Sequence, residues 1–165
     1  MRDNIWLEKK IKEIWGLYFV DIKRLNDINI HFGRKAKRRL ASIRQKNRYN
    51  KQSDTEIKVT GYFKDERVPE FVVDVTIAHE LCHYAHGFAS PLPQFSKFPH
   101  RGDLVDNELI TRGLGEELKN QEKWLENNWN GIVNDEIYRK KHHYKRKRKS
   151  QSPIFAFLEK LVLNS

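Results

Sequence analysis

The chain has 165 residues, 38% hydrophobic and 12% aromatic, enough apolar material for one packed domain and too much for a globally disordered chain. Its single cysteine, Cys82, excludes an intrachain disulfide framework and a Cys-based zinc ribbon, and no apolar run approaches the ~20 residues of a membrane-spanning helix. The net charge of +10 is concentrated: Arg34–Arg48 and Arg139–Lys149 each hold eight Lys/Arg and no acid, half of the chain's 32, and the remainder is net acidic. Two basic clusters on an acidic body are the footprint of contact with a phosphate backbone or another anionic surface; the plainer reading is a solvated face and a charged tail.

The N-terminal stretch is charged and amphipathic and lacks a secretory h-region, which makes the cytoplasm the expected compartment. Ile5, Ile11, Ile14 and Leu17 recur at helical spacing with Trp6 and Trp15, predicting a helix over Asn4–Val20 with Asp3 or Asn4 near its N-cap. Three alternating segments follow, Ile28–Phe32, Arg39–Gln45 and Thr55–Phe63, and read as strands separated by polar turns. Pro69 suits the start of the next helix, Glu70–His86. Its β-branched run Val72, Val73, Val75, Thr76 and Ile77 also suits a strand. The helix is preferred because Phe71, Val75, Ala78 and Cys82 share one face, while Val73, Ile77, Leu81 and Tyr84 share another, as in a buried helix. Gly87 is the expected stop. Three prolines make the stretch from Ala89 to Gly102 a loop, and Asp103 opens one long helix or two, with a break at Gly113 and Gly115. The basic run that begins at Arg139 opens a tail, residues 139–165, whose last part, from Pro153 on, has the pattern of a short amphipathic helix.

The segment "IAHELCHYAHGF" contains His79-Glu80-Leu81-Cys82-His83, the pattern H-E-x-x-H. On a helix, residues four apart lie about 40° apart in azimuth and about 6 Å along the axis, so two imidazoles converge on one ion. Glu80, about 100° round from His79, stands beside the open side of such an ion, where it can take a proton from water and pass it to a leaving group. The alternative is two surface histidines on an exposed helix, but Val75, Ile77, Ala78 and Leu81 surround these. His86, about 10.5 Å further along the helix from His79, is poorly placed as a third ligand and reads as a residue on the substrate side or at the helix end. The third ligand is then His100, after the proline-rich loop, or Glu108, on the following helix. Cys82 reads as a buried core thiol more readily than as a nucleophile. Arg112 and Tyr84 have structural readings as good as an oxyanion role.

Taken together, "VPEFVVDVTIAHELCHYAHG" and the later "FPHRGDLVDNEL" resemble the SprT-like (Spartan-type) zincin metalloproteases, and "GRKAKRRLASIR" adds a similarity to the related YgjP-like metal-dependent hydrolases. The resemblance implies an α+β, zincin-like fold in which a small mixed β-sheet packs on the H-E-x-x-H helix with supporting helices. It implies Zn²⁺ held by His79, His83 and His100, with Glu80 as general base, and Glu108 accepting a hydrogen bond from a ligand imidazole. The expected organisation is one metallohydrolase domain over residues 1–138 and the tail. The expected function is a zinc-dependent hydrolase, above all a peptidase acting on protein or peptide. The alternatives are a nucleic-acid-associated protein with a structural zinc, or a hydrolase of a non-peptide bond. Nucleic acid is the expected partner of the Arg34–Arg48 and Arg139–Lys149 clusters.

Overall fold

The computed structural model describes residues 2–95 and 103–150, with side chains described through residue 135. Two compact units are present, 1–127 and 128–165. The first is a mixed α+β unit with the element order α1 (Asn4–Tyr18), β1 (Ile28–Phe32), β2 (Ala41–Gln45), β3 (Thr55–Val59), a 3-10 turn (Gly61–Lys64), α2 (Glu70–Ala85), α3 (Leu104–Thr111) and the start of α4 (Gly115–Ser150). The described part of the second unit is the continuation of α4, which stays helical through the basic run to Ser150. Among the described residues no helix is long and apolar enough to cross a membrane.

Helix α1 begins where Asp3 accepts a hydrogen bond from the Trp6 amide at 2.8 Å, satisfying one of the four amides a helix start leaves without a partner. Leu7, Ile11 and Ile14, spaced four and three apart, form its buried stripe. The three strands form one sheet in the order β1-β3-β2, with β1 parallel and β2 antiparallel to β3. The register aligns Ile30, Ile57 and Ile43 in one buried row across all three strands, and Thr55 and Val59 extend that face. Full burial of such side chains stabilises by about 1.5–3 kcal/mol each, which is what fixes the register. The opposite face is polar and carries the ion pair between Arg44 and Glu56. Helices α1 and α2 cover the apolar face, α1 over β1 and α2 over β2.

The third strand is shorter than its alternation predicts. Past Val59 the Thr60 hydroxyl accepts from the Tyr62 amide, and the chain enters the 3-10 turn instead of continuing to Phe63. β2 likewise starts at Ala41, two residues after Arg39. Glu70–Ala85 is a helix, so the strand alternative for Phe71–Ile77 is excluded. Burial offsets its modest propensity: Val72, Val73, Val75, Ile77, Leu81, Cys82 and Tyr84 are at most 1% exposed. Glu70 in its first turn suits the helix dipole and pairs with Lys10 at 2.7 Å. Of one long helix or two, the structure has two, α3 and α4, divided at Gly113, whose φ of 89° lies in the left-handed region.

Candidate metal centre and cleft

Helix α2 places His79 and His83 one turn apart with their ring centroids 4.9 Å from each other, nearly perpendicular. Glu80 lies between them in sequence, with only 6% of its surface exposed. All three line one cleft of about 480 Å³. Arg38 to Ile43 form its opposite wall, and Thr76, Phe88 and Gln121 complete it. The H-E-x-x-H helix therefore opens onto the N-terminal half of β2.

Burial pushes the Glu80 carboxyl up to about 7, with the positive charge of Arg39 acting in the opposite direction. A buried carboxyl with this affinity for protons, beside two imidazoles, can exchange a proton near neutral pH. The donor set also fits a divalent cation: two imidazoles one turn apart, and a carboxyl whose burial an adjacent positive charge would offset. Among the described residues no group of three or more His, Cys, Asp or Glu side chains is placed to hold a metal ion. His100 lies outside the described residues, so the pair His79 and His83 is the part of the expected ligand set that the fold brings together.

Glu108, the rival third ligand, is not among the residues lining the cleft. One of its oxygens accepts from Arg112 Nε at 2.8 Å and the other stands 3.7 Å from His86 Nε2. The imidazole that Glu108 meets is thus that of His86, at the C-cap of α2. Arg112 continues the array to Asp21 at 2.7 Å and to the Tyr18 carbonyl, and its guanidinium lies 4.3 Å from the Phe19 ring centroid. These contacts give Arg112 a structural role tying α3 to the end of α1. Tyr84 is also structural: it is fully buried, donates to Asn26 Oδ1 at 2.8 Å and accepts from the Leu25 amide. Cys82 is fully buried, and desolvation pushes its thiol up to about 12, so it stays a neutral core side chain.

Two features of the cleft escape the sequence reading. Gln121, from the first turns of α4, is 7% exposed and donates to the Val72 carbonyl at 2.7 Å and the Thr76 hydroxyl at 2.9 Å. It braces α2 one turn before His79. A lone glutamine in a charged helix carries no signal for this in sequence. The other feature is the edge of β2. The Thr60 amide donates to Leu40 and the Lys46 amide to Asp54, so the even-numbered residues of β2 face β3. Alternation then turns the amides and carbonyls of Ala41, Ile43 and Gln45 outward. Among the described residues no strand pairs along that side.

At the end of α2, Gly87 has φ 74° and a Cβ built there would lie 2.3 Å from the Pro93 carbonyl oxygen. The Phe95 amide donates to the His86 carbonyl at 2.9 Å, closing the loop that leads toward His100.

Compared with known proteins, the chain matches no family model, no curated protein and no solved structure.

Proposed function

We propose that the protein is a zinc-dependent hydrolase of the zincin type, a peptidase similar to the SprT-like metalloproteases. The observation that carries the reading is the buried Glu80 set between His79 and His83 in a cleft walled by an edge strand. His79 and His83 would hold the metal, with His100 as third ligand. A bound Zn²⁺ supplies Lewis acidity, polarising a substrate carbonyl and acidifying water.

The protein's own groups do the rest. Glu80 takes the proton released when water attacks and returns it to the leaving amine. Its burial favours the first transfer, because the protonated form is the one the cleft stabilises. The outward amides and carbonyls of Ala41 and Ile43 would pair with an extended peptide main chain, laying it along the cleft as an added strand. That edge favours a peptide bond over other hydrolysable bonds, since only a peptide offers a matching ladder of donors and acceptors.

The test is hydrolysis of unfolded protein by the zinc-loaded chain and by Glu80→Gln. The variant should retain zinc and lose at least about 100-fold in rate, the scale of a general base. Equal rates would refute the mechanism. A protein that binds zinc and cuts nothing, but captures nucleic acid, would instead favour a structural zinc.

A further inference from the structure

The N-terminal end of β2 brings two arginines to the cleft that contains Glu80. Arg38 and Arg39 both line it and both are exposed. Neither guanidinium has a hydrogen bond or ion pair among the described residues, whereas Arg44, Arg67 and Arg112 are each matched to a carboxylate. Arg44, the cation within β2, is thus neutralised by Glu56, whereas Arg38 and Arg39 are exposed. Among the described residues that line the cleft, Glu80 is the only acid, and it is buried. The wall opposite α2 therefore presents positive charge to the cleft, with Arg39 acting on the buried Glu80 only through its field.

We propose that Arg38 and Arg39 form a subsite for an acidic side chain of the peptide substrate, close to the bond that is cut. The inference rests on the peptidase reading above and gives it a substrate class. Two planar guanidinium groups can each take a carboxylate through paired N–H donors. They directly precede the edge residues Ala41 and Ile43, so a peptide added along that edge carries its side chains past them. The same edge argues for peptide over single-stranded nucleic acid. Nucleic acid is gripped by stacking on aromatic rings, and among the described residues that line the cleft Phe88 is the only Phe, Tyr or Trp.

Two measurements test this. In the first, a mixed peptide library is digested by the zinc-loaded full chain and the cut sites are read by mass spectrometry. Asp or Glu should be enriched at one position beside the cut. The double variant Arg38→Gln/Arg39→Gln should lose the enrichment, and Arg38→Glu/Arg39→Glu should replace it with Lys or Arg. In the second, fluorescein-labelled decapeptides containing either two Glu or two Gln are titrated into Glu80→Gln protein. The Glu peptide should bind about tenfold tighter, the scale of one or two partly exposed ion pairs, and the advantage should vanish in the arginine double variant. Cleavage without acidic enrichment overturns the subsite and leaves the peptidase standing. Charge-selective peptide binding with no cleavage of any peptide refutes the hydrolase and leaves the acidic-peptide capture standing. Equal binding of the two peptides overturns the subsite, as does tighter binding of a single-stranded oligonucleotide through the same arginines.

Discussion

The buried Glu80 makes the stability of the metal-free protein fall as pH rises. In the unfolded chain its carboxyl titrates at the ordinary value of 4.5, and in the fold burial moves it to about 7. A raised carboxyl acts oppositely to an ion-paired one. Below pH 4.5 both states are protonated and no penalty exists. Above it the unfolded state loses its proton first and is favoured, until the folded carboxyl also ionises near 7 and the penalty levels off. With about 1.36 kcal/mol per pKa unit, the full penalty is roughly 3 kcal/mol, most of which develops between pH 5 and pH 8. The perturbation is Glu80→Gln, which keeps the shape and removes the titration. Urea unfolding of chelator-treated wild type and variant at both pH values gives the assay. The variant should gain about 2–3 kcal/mol relative to wild type on going from pH 5 to pH 8, and added zinc should narrow the gap by supplying the missing positive charge. Parallel pH profiles for the two proteins would refute the claim that burial holds the Glu80 carboxyl above its ordinary titration range.

Other outcomes follow from single contacts. Gly87→Ala should destabilise the chain by roughly 1–3 kcal/mol in denaturant unfolding, because a side chain there meets the Pro93 carbonyl at a positive φ; an unchanged midpoint would show that the loop after α2 shifts freely. Gln121→Leu removes the two donors bracing α2 and should cost about 1–2 kcal/mol, read the same way, with no loss counting against the brace. Deleting residues 139–165 should leave zinc stoichiometry unchanged and weaken any DNA or RNA binding more at low salt than at high salt. No binding by the full chain at low salt would remove the phosphate-contact role of the basic run.

What was readable in the sequence is what one-sided burial imposes on a short stretch of chain. Leu7, Ile11 and Ile14 mark α1 because only a helix puts them on one face, and the alternation around Ile30, Ile43 and Ile57 marks three strands for the same reason. The helix over Glu70–Ala85 was readable only from its length and all-round apolar character, since the valines of its first half suit either structure. The end of β3 was not readable, because Thr60 caps a turn through its own side chain while the alternation runs on to Phe63. Strand order was also hidden. Local pattern says nothing of β3 entering between β1 and β2, and that insertion is what leaves the β2 edge open beside Glu80. At the site, the fixed i, i+4 geometry made His79 and His83 readable as a pair. Arg112 and Glu108 were ambiguous because their partners come from elsewhere in the chain, Asp21 lying 91 residues from Arg112.

The central claim is a metal held by α2 and a histidine beyond the proline-rich loop. It is tested most directly by the zinc content of the purified chain and three variants. Wild type and Glu108→Ala should carry about one zinc per chain, whereas His83→Ala and His100→Ala should carry almost none, since losing one of three ligands nearly abolishes binding. Glu108→Ala keeps the metal in this account because its carboxylate is engaged by Arg112 and His86 and does not line the cleft. A wild-type chain that holds no zinc would contradict the account outright, and an empty Glu108→Ala beside a zinc-loaded His100→Ala would reverse the choice of third ligand.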